Sequence, residues 1–299
     1  MISIIIPTYN RFTIIEETIQ KIISISTDIL FEVIIVNDGE ELPFKSTHPK
    51  IKILKNPKRG AAAARNHGAA NASYSILFFI DDDMWPTAAT FDAITQLSYD
   101  QFLTSNCVVL NWRYPDNLIY SMSQNKIGRY LLNAEYHTLE GRLKQPIDKT
   151  KKMIQIPSIG SGSFLISKEL FEKCGKYNET YVFQGEDIDL SQKINEKGFN
   201  IFLFTDITCF HNQKDRLYIT EFLDRDYRGF LSQFTKNRNM PTNKLKQFIF
   251  TLLIPLKPFI LFIFNYIPNY KIFDKLTFRT IGVLSSISYF KAMYDARAL

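Results

Sequence analysis

Three short, nearly unbroken apolar runs, each stopping at a cluster of polar residues, constrain this 299-residue chain most. They cover residues 2–6, 31–36 and 75–80. Runs of β-branched and aromatic residues without alternation suit strands covered on both faces, as in a parallel sheet. Helical patterns lie between them. Residues 13–24 carry Ile14, Ile15, Ile19, Ile22 and Ile23, with Glu16 and Glu17 in the first turn, where acidic groups favour the helix dipole. Residues 60–72 are Ala-rich and entered through Gly60. With a short strand at 51–54, the rhythm predicts an α/β sheet with βαβ crossovers. Further on, the pattern predicts a strand at 163–166, helices at 168–174 and 187–197, and two strands at 200–204 and 207–210. Residues 100–155 are less regular, and 142–152, rich in Lys and containing Pro146, read as a mobile loop.

In open α/β sheets ligands bind outside the carboxyl ends of the strands. Three strand ends carry unusual polar residues: Pro7-Thr-Tyr-Asn-Arg11, Asn37-Asp38-Gly39 and Asp81-Asp82-Asp83. Three adjacent carboxylates repel one another unless a cation sits among them. In an extended segment Asp81 and Asp83 point to one side and can share an ion, while Asp82 faces elsewhere, toward a sugar hydroxyl. Hard oxygen ligands favour Mg²⁺ or Mn²⁺, and such an ion holds a diphosphate. The plainer reading is a solvated acidic turn. Asp38 either accepts from a base or ribose, or simply makes an Asp-Gly turn. Arg65 either reaches a base or phosphate, or is a surface arginine. The segment from Gly60 to Arg65 lacks the ending of a P-loop.

Gly185-Glu-Asp-Ile-Asp189 opens a helix, so its acids are either dipole partners or a functional pair. The preceding residues 160–163, Tyr181 and Phe183 suit the wall of a site for a polar acceptor, which would make Asp187 a general base. His211 ends the last strand; it is a structural histidine unless that strand returns it to the aspartates.

The ordered set resembles a family-two glycosyltransferase with the GT-A fold. The resemblance rests on residues 4–11, 33–39, 60–66, 79–83, 185–190 and His211, and covers about residues 1–213. It implies an α/β, GT-A (nucleotide-diphospho-sugar transferase) fold with a mostly parallel central sheet. It also implies inverting transfer of a sugar from a nucleotide-diphosphate donor. By that similarity Pro7, Thr8 and Tyr9 line the nucleotide pocket and Asp38 binds the base, often uracil. Arg65 lies near the base or phosphates, and Asp82 belongs to the nucleotide-sugar site. Asp81 and Asp83 match a metal-binding DxD motif for Mn²⁺ or Mg²⁺, and His211 a further metal ligand. Asp187 matches the catalytic base, with Glu186 contacting the acceptor or orienting that base. Asn37 departs from the common Asp-Asp-Gly pattern.

The net charge of +6 is unevenly placed. Residues 1–213 hold 22 basic and 24 acidic residues, whereas residues 214–299 hold 14 and 6. This predicts a catalytic domain over 1–213 and a basic, apolar, helical C-terminal region over 214–299. Residues 248–256 and 258–270 are apolar, but Lys257, Pro255 and Pro258 interrupt them. Neither piece reaches the roughly 20 residues of a spanning helix. The region therefore reads as a broken amphipathic or re-entrant segment at a membrane surface, with a spanning hairpin and a soluble helical cap as the other readings. The absence of spaced aromatic platforms argues against nucleic acid. The N-terminus reads as a strand and not a signal peptide, and three cysteines without a CxxC predict no disulfide framework. The expected setting is cytoplasmic, peripheral at the inner face of the cell membrane. The expected acceptor is a glycan or polyprenyl-linked glycan of bacterial surface polysaccharide synthesis. A catalytically inactive nucleotide-sugar- or membrane-binding scaffold is the alternative. A sugar-nucleotide nucleotidyltransferase fits less well, because residues 7–11 contain no glycine to grip a triphosphate.

Overall fold

Burial follows the apolar runs closely, which is what assembles the sheet. The computed structural model describes residues 1–299 apart from 43–45, 47, 100–101, 145, 161, 182–183, 237–243 and 299. In chain order the elements begin with β1 (Ile2–Thr8), α1 (Phe12–Ile23), β2 (Phe31–Asn37), β3 (Ile51–Lys55), α2 (Ala61–Ala70), β4 (Ile76–Ile80) and β5 (Met84–Pro86). Then come α3 (Ala88–Tyr99), β6 (Asn106–Arg113), α4 (Asp116–Ser123), α5 (Lys126–Asn133), α6 (Leu139–Leu143), β7 (Met153–Gln155), β8 (Ser163–Ser167) and α7 (Lys168–Lys173). The chain closes with α8 (Glu186–Glu196), β9 (Asn200–His211), α9 (Ile219–Lys236), α10 (Lys244–Leu253), α11 (Lys257–Tyr266) and α12 (Asp274–Ala298).

Two compact units result. The first comprises residues 1–114, 138–182 and 186–212; the second comprises 115–137, 183–185 and 213–299. The first is a mixed sheet in the order β3-β2-β1-β4-β8-β6-β9-β5, with β7 beside β9. Strands β3, β2, β1 and β4 are parallel, as the unbroken apolar runs predict. Antiparallel β8 extends them, and β6 and β9 then pair parallel to each other, so the sheet is only half parallel. Ile4, Ile5, Val33, Ile34, Phe78 and Phe79 are fully buried in it.

Two sequence expectations change here. The break predicted between 200–204 and 207–210 is an irregularity within the continuous strand β9, and residues 106–113 of the less regular middle form β6. Pairing of β6 with β9 passes from Leu110–Phe204 to Asn111–Ile207 with a register shift. Asn111 is buried there because its Nδ2 donates to the Thr205 carbonyl at 2.7 Å. That polar residue interrupts the apolar pattern of β6 and hides it. The start of the expected loop 142–152 instead falls in α6, which is closed by Lys144 in the left-handed region.

The second unit is helical. Phe234, Phe290, Ala292, Met293 and Ala296 form its core. The aromatic rings of Phe250 and Phe290 stack with centroids 5.3 Å apart. Helix α5, from the middle of the sequence, belongs to this unit. Lys126 Nζ donates to the carbonyls of Phe264 (2.5 Å) and Ile267 (2.9 Å), and Arg129 Nε meets both oxygens of Asp274 at 2.9 and 3.0 Å. Prolines do not break the apolar tail. Pro255 and Pro258 each occupy a first-turn position, where the missing N–H costs nothing. A 3₁₀ turn joins α10 to α11 in one 23-residue helical run, Lys244–Tyr266. By length and composition it is apolar enough to cross a membrane.

Candidate active site

The aspartate run begins where β4 ends, and it turns instead of extending: Met84 N donates to the Asp81 carbonyl at 3.1 Å. The alternation expected of an extended segment is therefore lost, and the carboxylates diverge. Asp81 Oδ1 accepts from Arg65 Nη2 at 2.8 Å. Asp82 turns inward, accepting from Thr8 Oγ1 at 2.8 Å and from Arg11, while its carbonyl accepts from Thr18 at 2.6 Å. Asp82 thereby joins the ends of β1 and β4. Asp83 is fully buried; Arg11 Nη2 reaches its Oδ2 at 2.9 Å, and His211 Nε2 lies 3.1 Å from its Oδ1.

Strand β9 returns His211 to the aspartates because β5, directly after them, pairs with it: Met84 faces His211, and Asn212 N donates to the Asp83 carbonyl at 2.7 Å. Burial pulls His211 below its ordinary pKa, with Asp83 opposing, so the imidazole is neutral. Trp112 packs edge-on to it at 4.7 Å and Tyr114 at 5.6 Å, and Arg142 Nη2 meets the Tyr114 hydroxyl at 3.0 Å.

Arg65 is the hub of the other side. It is 3% exposed, and its Nη1 donates to Glu186 Oε1 at 2.8 Å, opposite its bond to Asp81. Its guanidinium lies 5.4 Å from the Tyr177 ring. Burial works against the charge, but Asp81, Tyr177 and Glu186 outweigh it and hold Arg65 above its ordinary pKa. Arg65 thus pairs with both acidic motifs. Glu186 is buried in the first turn of α8, and its Oε2 has no hydrogen-bond partner among the described residues. Asp187 follows it, half-buried. Tyr181 is half-buried; Ser161 and Phe183 lie outside the described residues.

At the nucleotide side, Asp38 holds a loop. Its Oδ1 accepts from Asn56 Nδ2 at 2.6 Å and its Oδ2 from Gly60 N at 2.9 Å. Asp38 thereby tethers the entry to α2. Gly60 has φ 120°, a conformation that favours glycine. Asn37 Nδ2 donates to the Glu40 carbonyl at 2.6 Å and its Oδ1 accepts from Gly39 N at 3.1 Å. A carboxylate could not donate the first bond, which accounts for the amide here. Pro7 and buried Thr8 end β1, and Tyr9 is 48% exposed beside the Arg59 guanidinium, 6.0 Å from its ring. Sequence reasoning assigned no role to Arg11, Trp112, Tyr114, Arg142 or Tyr177. Arg11 lay inside a quoted motif, whereas the others depend on β6 and its end, on α6 and on the loop before α8.

Among the described residues no three of His, Cys, Asp and Glu gather as a preformed metal centre. Asp83 and His211 are nevertheless in contact, an oxygen and a neutral nitrogen donor. Mg²⁺-type sites commonly use one or two protein carboxylates and take the rest of their ligands from substrate phosphates and water. The pair fits that pattern; Asp81 faces Arg65 instead.

The sequence profile of "Glycosyl transferase family 2" matches residues 3–175. The chain is 23% identical over 208 residues to a putative polypeptide N-acetylgalactosaminyltransferase 9 of Drosophila melanogaster, covering 64% of this chain and 32% of that protein. It thus spans about a third of that relative's length. Its fold resembles the crystal structure of GalNAc-T7 with UDP, GalNAc and Mn²⁺, at TM-score 0.53 and 18% identity over 71% of this chain and 43% of the other. It also resembles the mannosyltransferase PcManGT of Pyrobaculum calidifontis in complex with GDP-Man and Mn²⁺. There the TM-score is 0.51 and the identity 17%, over 99% of this chain and 74% of the other.

Proposed function

The chain belongs to glycosyl transferase family 2 and is a glycosyltransferase of GT-A fold, and from that premise we propose that it inverts the anomeric carbon as it transfers a sugar. The donor is a nucleotide-diphosphate sugar, a UDP-sugar by preference. The acceptor is a hydroxyl of a glycan or polyprenyl-linked glycan, in bacterial surface polysaccharide synthesis at the cytoplasmic face of the membrane. The observation that carries this reading is the Arg65 bridge, 2.8 Å to Asp81 and 2.8 Å to Glu186. It ties the aspartate run at the end of β4 to the first turn of α8, which supports reading both acidic motifs as parts of one site.

A sugar hydroxyl is a poor nucleophile at neutral pH, so a carboxylate must take its proton as attack proceeds. Asp187 takes that role: its neighbour Glu186 is engaged by Arg65 at 2.8 Å, whereas Asp187 is half-buried at the helix start. The acceptor oxygen bonds to the anomeric carbon as the bond to the diphosphate breaks on the opposite face. The proton passes to Asp187, and the nucleoside diphosphate leaves with the bonding pair. Glu186, whose Oε2 has no hydrogen-bond partner among the described residues, contacts the acceptor or orients Asp187 in this reading. Tyr9 and Arg59 flank the base, and Pro7 and Thr8 line the pocket. Asp83 and His211 would hold Mn²⁺ or Mg²⁺, which when bound neutralises charge on the departing diphosphate.

Removing a general base costs typically 10²–10⁴-fold in rate. Asp187→Asn is therefore expected to lose sugar transfer by about that factor. Donor binding, followed as thermal stabilisation across a panel of nucleotide sugars with Mn²⁺, is expected to persist. Near-normal turnover in this variant would remove Asp187 from the role.

A further inference from the structure

We propose that the helical run Lys244–Tyr266 lies flat in the interface of an anionic lipid bilayer, with one apolar stripe immersed in the lipid and the other face fastened to α12. The stripe recurs every three or four residues along the whole run: Phe248, Leu252, Leu256, Phe259, Phe262 and Tyr266, each between 48% and 71% exposed. That spacing places them on one side of a helix about 35 Å long. An uncovered apolar face of that length marks a binding surface. The other side is already taken. Phe250 stacks on Phe290, and Lys257 Nζ donates to Ser288 Oγ at 3.0 Å.

Charge names the occupant. Between Asp226 and Asp274 there is no Asp or Glu, but there are seven Lys or Arg. Exposed Lys244 and Lys246 flank the start of the stripe, and exposed Lys271, Lys275 and Arg279 follow its end. Apolar side chains rimmed by cations match acyl chains beneath anionic headgroups.

The packing of the unit decides flat against spanning. Helix α12 lies along α9, where Asp226 accepts from Ser285 at 2.7 Å and Asp295 from Tyr227 at 2.5 Å. A spanning run would carry these groups and Lys257 into hydrocarbon and put its two basic ends on opposite sides of the membrane. Lying flat, both ends reach the same leaflet and Lys257 stays on the protein side.

The test uses the full chain with sedimenting vesicles of phosphatidylcholine, with or without 30% phosphatidylglycerol as a roughly physiological anionic fraction. The wild type is expected to bind the anionic vesicles preferentially. Phe259→Asp with Phe262→Asp should lower partitioning at least about tenfold, and Lys271→Glu with Lys275→Glu should abolish the preference for anionic lipid. Both variants should keep the wild-type circular dichroism spectrum. A fluorophore attached to the single variants Phe248→Cys, Leu256→Cys and Phe262→Cys should report one shallow depth by lipid-borne quenchers. Wild type that ignores vesicles overturns the proposal. So does a deep centre at 256 with shallow ends, or a dimer in light scattering that the double aspartate variant dissolves. Vesicle binding without any sugar transfer would keep this inference and overturn the proposed reaction, so the two fail separately.

Discussion

Arg65 shows how much one side chain holds together. Deleting its charge leaves Glu186 buried and uncompensated, while Asp81, a third exposed, regains water. Removing one partner of a buried pair costs about 3–5 kcal/mol, and the better-solvated Asp81 bond adds little to that. Arg65→Met is therefore expected to lose about that much stability in urea denaturation. Arg65→Lys, whose ammonium can still meet one carboxylate, should lose less. Equal stability of Arg65→Met and wild type would show that Arg65 is not a hub. At this scale the candidate carboxylates were legible, since Asp81, Asp83, Glu186 and Asp187 stand in recognisable runs. Their pairings were not. Which of Asp81, Asp82 and Asp83 meets a cation depends on the turn after Ile80 and on arginines 16 to 72 residues away.

Elements were legible where one kind of environment surrounds the whole segment. Strands β1, β2 and β4 are buried throughout and read as unbroken apolar runs. Strand β6 is equally buried, yet Asn111 satisfies its amide inside the sheet, and the pattern breaks. Helix α2 begins at Gly60, whose backbone only glycine adopts readily and whose N–H is bound by Asp38. Gly60→Ala is expected to cost about 1–3 kcal/mol, the usual range for a residue forced into a sparsely populated backbone region. A melting temperature equal to wild type would contradict this.

For the whole molecule, charge and hydropathy place a boundary near residue 213, whereas the compact helical unit also takes residues 115–137. Cutting there strips α5 of Asp274, the partner of buried Arg129, and of the carbonyls that Lys126 holds. A fragment of residues 1–213 is therefore expected to be cleaved within 115–137 by limited proteolysis, while the full chain is protected there. Equal protection in the fragment would show that 115–137 needs no helical partner. With Asp83 and His211 holding an ion as proposed, chelator should suppress sugar transfer and Mn²⁺ restore it, and Mn²⁺ should raise the melting temperature of the protein by mass action. Activity that survives chelation would remove Asp83 and His211 from metal binding.

The sequence by itself determined the parallel half of the sheet, the acidic motifs at its strand ends and the basic, apolar character of the tail. These depend on local period and composition, which need no partner to be read. Only the tertiary structure decided that Asp81 and Asp83 face different cations, that His211 meets Asp83, and that Pro255 and Pro258 leave one continuous helix. Each of those outcomes depends on groups far apart in the chain or on backbone geometry at a single turn, and neither leaves a periodic trace.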